Sequence, residues 1–600
     1  MVIAIIAAVL TPVLIDAQRY ARSSTNSAVR LLLVRGESTS AVDASVATAW
    51  SESAREVGIP FEWISADDLV DENAVAAVRS DPAVVLPDAA AQGLPDAILD
   101  WAESYVSHGG HLLVVYDAGT RDQIGGVRPS GLFDPLLGIR YSGHGGAPRS
   151  AYTTGQVGFK NGAEAALWNI PPGKMTADDI LSGYSYGPLT YPLANARSNT
   201  ADLDVAARSG SIPVLATRRY GRGTAVWSAL PLGRLCAYGT DALPIDAVLQ
   251  TVAVGLGLLP RLLLAPGGGG GLVIVWHVES NSDWSAIPMM EQWGLLPRGI
   301  HQEFDIAAGP DVISPGDGLG FDACGKGRRT LSLLLQQGET IGSDGGGTQN
   351  LFASQLEHGT ITNNETRDLV VKNASCLTSV TGQPMQDYTA PLGVYPQPQM
   401  TRIIQQLGFV DYYYTGDTGA APTLAFWDGK LVSTSVWAFP VTPDGRDAAL
   451  ADMALDHVSA SAVEAWLKSV AEYVASQGTV RLLYSHPPDL ETPGYASAYA
   501  SFLGYVAQLQ STGQLTTEPM HVYTDFLNRR EQAQMTVDRT KGGIRLTITD
   551  RKGLRDLAIG VPNTWHPARI AGVTKRDTIG GEQSYVVQDD SRRVVLRFTM

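Results

Sequence analysis

The stretch "LVIVWHVESNSDW", residues 272–284, decides how the chain folds. Its first seven residues are apolar except for His277, the continuous pattern of a strand buried on both faces of a parallel sheet. The run then breaks into Glu279, Asn281 and Asp283, a cluster of carboxylate and amide groups at a strand end. Just upstream, "PRLLLAPGGGGG" carries Pro260, Pro266 and glycines 267–271, which reads as a linker over 259–271.

Working outward, strands and helices alternate downstream to about residue 530, and a similar rhythm fills the region before the linker. "RLLLV" (30–34) is a buried strand, "AVDASVATAWSESAREVG" (41–58) has helical period and stops at a glycine, and "HLLVVYD" (111–117) is another strand. This βαβ rhythm predicts an open parallel sheet over 29–258. The last seventy residues alternate polar and apolar positions between turns, as in "GGIRLTITDRKGL" and "RRVVLRFTM", predicting a small antiparallel, sandwich-like β-domain over 531–600. Six hundred residues are too many for one core, in keeping with an α/β chain of three domains.

Composition narrows the function. Apolar residues make up 44% and charged residues 17%, the balance of a well-buried globular chain. The formal net charge is −16 with no Lys/Arg run, which argues against a nucleic-acid partner. The opening "MVIAIIAAVLTPVLID" is mostly apolar, shorter than the roughly 20 residues of a membrane-spanning helix, and followed by the polar "AQRYARSSTNS". We expect 1–28 to be a membrane anchor or export signal with a tether, and the rest to lie outside the cytoplasm. A buried element of the first domain is the competing reading. Cys324 and Cys376 share the central domain and could bridge in an oxidising compartment, but sequence does not show whether their Cα atoms approach, so the pairing stays open.

Three further stretches complete a pattern with the first: "IGSDGGGTQN" (341–350), "DYTAPLGVYPQP" (387–398) and "VRLLYSHPPDL" (480–490). Taken in order, the four resemble the NodB-like polysaccharide deacetylases (carbohydrate esterase family 4-like) over about 272–530. The resemblance implies a (β/α) barrel with its site at the C-terminal strand ends. It also implies a divalent metal such as Zn²⁺ that polarises an amide carbonyl and acidifies a water. The region before it loosely resembles flavodoxin-like, glutamine-amidotransferase-like domains in layout. No cysteine precedes Cys236, so that domain lacks an amidase nucleophile.

Carried over residue by residue, the resemblance places Glu279 as base, His486 as acid and Asp489 as the group that orients His486. Asp283, Asp344 and His277 are its candidate metal ligands, and Asn281, Gln349, Pro391 and Tyr414 face the substrate. The pattern also departs from the family. Asp344 and Gln349 stand where the family has two histidines, and zinc favours nitrogen and sulfur donors. Each residue has a plainer reading as well: a solvated strand end for Glu279 and Asp283, a turn cap for Asp344, a local hydrogen bond for Gln349, a core residue for His486, strand packing for Tyr412–Tyr414. The expected function is deacetylation of an N-acetylated polysaccharide. Its rival is a catalytically silent barrel that binds glycans or organises exopolysaccharide assembly.

Overall fold

The computed structural model describes residues 28–36, 40–142, 151–184, 186–239, 241–414, 420–579 and 581–600. The expected anchor over 1–28 lies outside them apart from its last residue. Among the described residues no helix is long and apolar enough to cross a membrane.

The central domain is a parallel barrel. Its strands are β1 (Gly270–Val278), β2 (Glu303–Ile306), β3 (Thr340–Asp344), β4 (Tyr388–Thr389), β5 (Asp411–Tyr414), β6 (Trp437–Pro440) and β7 (Val480–Ser485). Hydrogen bonding runs β6-β5-β4-β3-β2-β1-β7, with every pair parallel. A parallel bridge between Val441 and Leu482, with Thr442 N–H donating to Leu482 C=O at 3.0 Å, joins β6 to β7 and nearly closes the ring. A short strand, β8 (Leu515–Thr517), pairs with the start of β1.

The stretch that decided the fold behaves as its sequence requires. All nine residues of β1 are buried, those of one parity facing the barrel interior and the others packing on the outer helices. The glycines before it serve packing and not flexibility. A Cβ on Gly270 would lie 2.2 Å from Val474 C=O, and one on Gly271 would lie 2.5 Å from the Tyr523 ring. The segment read as a linker is a buried seam: Arg261–Leu262 pairs with Ala558–Pro562, and Arg261 Nε meets Glu582 Oε2 at 2.8 Å.

The first domain is built on an eight-stranded sheet. Strands Phe61–Ser65, Leu31–Arg35, Ala83–Leu86, His111–Val115 and Gly223–Ser228 lie side by side in parallel. Ile212–Tyr220, Asp204–Ser209 and Gly158–Phe159 extend the sheet antiparallel, so it is mixed where a wholly parallel sheet was expected. The polar, Gly-rich middle of this region hid those strands. The C-terminal residues form two four-stranded antiparallel sheets, one of which takes in Arg261–Leu262. Their apolar faces join the same buried cluster as the first domain, through residues such as Val537, Leu546 and Phe598. Cys324 and Cys376 form a disulfide with Cα atoms 5.7 Å apart, and Cys236 is buried and takes part in no disulfide.

Inside the barrel the lining divides. Val273, Val275, Trp437, Phe439, Val480 and Leu482, from β1, β6 and β7, form an apolar wall. On the other side, register aligns Asp305 with Gly342 and Asp344 with Thr389. Thr389 Oγ1 donates to Asp305 Oδ2, which turns this set inward. The helix Met520–Arg530 lies across the N-terminal ends of the strands.

Candidate active site at the barrel mouth

Three side chains from two strand ends meet at the C-terminal rim. His277, in β1, and Glu279, one residue past its end, differ by two positions and so project to the same side. His486 follows β7, which pairs with β1 in register from Gly271–Val480 to Trp276–Ser485. Glu279 Oε1 lies 3.5 Å from His277 Nδ1 and 3.3 Å from His486 Nε2, so groups 207 residues apart in sequence become neighbours. Tyr413 and Tyr484 wall the His277 ring, with centroids at 5.1 and 4.9 Å.

These spacings are long for hydrogen bonds. They match the roughly 3.3 Å edge of a tetrahedron whose metal–ligand bonds are about 2.0–2.1 Å. The ligand atoms of His277, Glu279 and His486 all lie within 4.8 Å of one another. Two imidazoles and one carboxylate suit zinc-like ions. His277 turns Nδ1 toward this set, and its other ring nitrogen, Nε2, is buried without a hydrogen-bond partner. Asp489 supports the set from behind: it accepts the His486 backbone N–H at 2.8 Å and lies 3.5 Å from His486 Nδ1. A carboxylate behind a ligating imidazole fixes its tautomer and orientation. The residues present therefore fit a divalent metal, although not the set expected from sequence.

Charge at the site follows from these contacts. Burial works to raise the Glu279 carboxyl, but His277 and His486 outweigh it and hold Glu279 well below the usual carboxylate range. Burial likewise opposes charge on His486, yet Asp489 and Glu279 lift its pKa well above the ordinary imidazole value. Burial depresses His277. Glu279 is thus a strong counter-ion and a weak base.

The remaining predicted residues separate by position. Asp283 is turned away from the mouth set: its Oδ2 accepts the backbone N–H groups of Glu279 and Ser280, both at 2.8 Å, and so caps the helix Asn281–Gln292. Burial pushes it up to about 6. Asn281 donates to Gly318 C=O at 2.6 Å, tying down a neighbouring loop. Asp344 ends β3 fully buried, and neither carboxylate oxygen has a hydrogen-bond partner. Burial, then the charges of Glu279 and Asp305, raise its pKa well above the usual range. Gln349 is also buried with an unpartnered amide, at the start of the helix Gln349–Glu357. Pro391 is buried in a single turn after β4. The side chain of Tyr414 lies outside the described residues. Sequence reasoning missed Tyr484, although its place two residues before His486 marks it as a neighbour on the same strand face.

No family model matches the chain, and no curated relative matches it. Among solved structures it is similar to Agd3, described as a novel carbohydrate deacetylase, at 9% identity and TM-score 0.40 over 96% of this chain and 99% of that one. A putative polysaccharide deacetylase from Mycobacterium smegmatis aligns at 14% identity and TM-score 0.30 over 44% of this chain and 93% of that one. A CE4 family pseudoenzyme from Bacillus anthracis, BA3943, aligns at 9% identity and TM-score 0.27 over 43% of this chain and 66% of that one.

Proposed function

We propose that the chain is a carbohydrate-directed amide hydrolase of the deacetylase type, working at the mouth of the central barrel. One observation carries this reading: Glu279 and His486, from separate strand ends, converge with His277 at ligand spacing. The four ordered sequence stretches supply the substrate class, an N-acetylated polysaccharide.

His277, Glu279 and His486 would hold a divalent ion, and bound there it would polarise an amide carbonyl and lower the pKa of a water. Asp489 holds His486 in the tautomer that leaves Nε2 free to ligate. Asp344, kept neutral by burial, can hold a proton on its carboxyl and release it to a departing amine, as a buried acid tuned toward neutrality does. Tyr413 and Tyr484 form an aromatic wall that keeps water from the His277 side of the mouth. The roles thus differ from the sequence expectation: Glu279 and His486 become ligands, and Asp344 takes the proton chemistry.

The test is acetate release from acetylated chito-oligosaccharides by the purified full chain, with elemental analysis alongside. The expected result is one equivalent of a transition-metal ion and measurable release, both lost in His277→Ala. Release that survives His277→Ala, Glu279→Ala and His486→Ala would overturn the reading. A protein inert on these substrates but retained on an N-acetylated glycan column would point to the binding module, which the loss of both imidazoles at positions 344 and 349 favours.

We also place the chain outside the cytoplasm, supported by the pairing of Cys324 with Cys376. Fractionation that recovers the intact chain in the cytosol with both thiols reduced would refute this.

A further inference from the structure

The first domain reaches the barrel mouth through one hairpin, whose tip reads "GYSYG" over 183–187. Its short strands pair Ser182 with Pro188 and Gly183 with Gly187. The approach to the hairpin is moored on both sides. Leu181 N–H donates to Val157 C=O at 2.9 Å within the first domain, and Tyr473 Oη, from the barrel, donates to Asn169 C=O at 3.0 Å. Gly445 N–H, in the loop after β6, donates to Gly173 C=O at 2.5 Å. The two domains are close-packed here: a Cβ on Gly173 would lie 2.4 Å from Pro443 C=O and 2.7 Å from Trp466 Nε1.

Tyr184, at the hairpin tip, is partly buried and packs against the apolar wall built from β1, β5, β6 and β7. It shares a side-chain hydrogen bond with Tyr484 and lies near enough to Tyr413 to oppose ionisation of both phenols. The Tyr413 and Tyr484 rings, 5.3 Å apart, are the pair that walls His277, and the Tyr484 ring also meets that of His486 at 5.8 Å. A tyrosine from a different domain thus joins the aromatic wall of the mouth. Packing between domains would be served by an aliphatic side chain sealed from water. Instead the Tyr184 ring keeps part of its surface in solvent, and Tyr186 beside it is 66% exposed. Ligand sites favour such domain interfaces, lined by aromatic rings with a few polar groups. A phenol ring can cover the C–H face of a pyranose while its hydroxyl meets the sugar's own.

We propose that Tyr184 is a sugar-binding residue that the first domain adds to the barrel mouth, where its ring stacks on the pyranose unit next to the one carrying the reacting amide. This deepens the hydrolase reading and rests on it for the substrate class. His277, Glu279 and His486 take the amide, so a ring that meets Tyr484 and Tyr413 is left for the neighbouring unit. The substrate pocket is then shared between two domains, and a polymer is preferred over a single sugar.

The experiment compares the full chain with Tyr184→Phe and Tyr184→Leu, measuring acetate release from N-acetylglucosamine and from its tetramer. Metal content and unfolding midpoint are recorded for each variant. Tyr184→Leu keeps apolar bulk at the interface, so the fold and the bound metal should survive. Its KM for the tetramer should rise on the order of tenfold with kcat unchanged, while kcat/KM for the single sugar stays as in the wild type. Tyr184→Phe, which keeps the flat ring, should stay close to the wild type on both. A tetramer KM unchanged in Tyr184→Leu overturns this inference and leaves the hydrolase reading standing. An equal loss on both substrates also overturns it, because Tyr184 would then only hold the wall in place. If the wild type releases no acetate, the hydrolase reading falls and calorimetric titration with the tetramer decides the sugar contact. Binding lost in Tyr184→Leu sustains the contact; binding that persists there, or none by the wild type, ends it.

Discussion

The mouth and the interior of the barrel share the same strands but hold different chemistry. At the mouth, two imidazoles and a carboxylate gather at the rim, with His486 about 30% exposed at its side chain. In the interior, Glu303, Asp305 and Asp411 lie buried on β2 and β5, and Met520, at the start of the helix Met520–Arg530, donates its backbone N–H to Glu303. The mouth set comes from C-terminal strand ends, where loops leave room for substrate, whereas Glu303 and Asp411 open β2 and β5 at their N-terminal ends and Asp305 lies within β2. Topology brings the mouth set together at ligand spacing, while residue type decides which ion it suits.

His277→Ala tests this contrast most severely. It should drop acetate release to background and remove the transition-metal ion. Release that survives the substitution would show that the chemistry does not belong to the mouth.

Asp344→Asn should come next. If the proton chemistry belongs to Asp344, kcat falls on the order of 10²–10⁴-fold, with the mouth ion still present by elemental analysis. An ion lost along with activity would instead make Asp344 a ligand, as the sequence suggested.

Asp489→Asn should have a smaller effect, weakening mouth-metal affinity by about 10–100-fold in a competitive chelator titration. It also has a pH signature in metal-free protein. The folded His486 pKa is raised, so its ion pairing stabilises the fold below about pH 6.5 and is lost as pH rises through the folded value. The fall in unfolding midpoint above that pH should flatten in Asp489→Asn. An unchanged slope would mean that Asp489 does not govern His486.

Asp283→Ala should have the smallest effect on chemistry. Loss of a helix cap costs about 0.5–2 kcal/mol in chemical denaturation, with metal content unaltered. A variant of normal stability that has lost its ion would restore Asp283 as a ligand.

The local rhythm of the chain was legible where periodicity was strong. The strand at 272–278, the helix that stops at Gly58 and the C-terminal alternation all take the form that their apolar spacing demands. The antiparallel extension of the first sheet was not legible, because strands such as Asp204–Ser209 lie in a polar, glycine-rich stretch with no clear period. The glycine run at 267–271 misled as a linker, because a sequence cannot show that a glycine is there to let Val474 and Tyr523 approach.

The same division holds for the functional residues. Sequence alone determined which residue types stand at the strand ends: Glu279 and His277 two apart on one strand, His486 after another, and acids where imidazoles were expected. It also determined the low cation content that leaves buried carboxylates without partners. Only the tertiary structure decided how those groups are shared out, drawing Asp283 into a helix cap, bringing His486 to Glu279, and aligning Asp305 over Gly342. The physical reason is that a side chain's role depends on what lies within a few ångströms, and in a parallel barrel those neighbours come from strands tens or hundreds of residues apart.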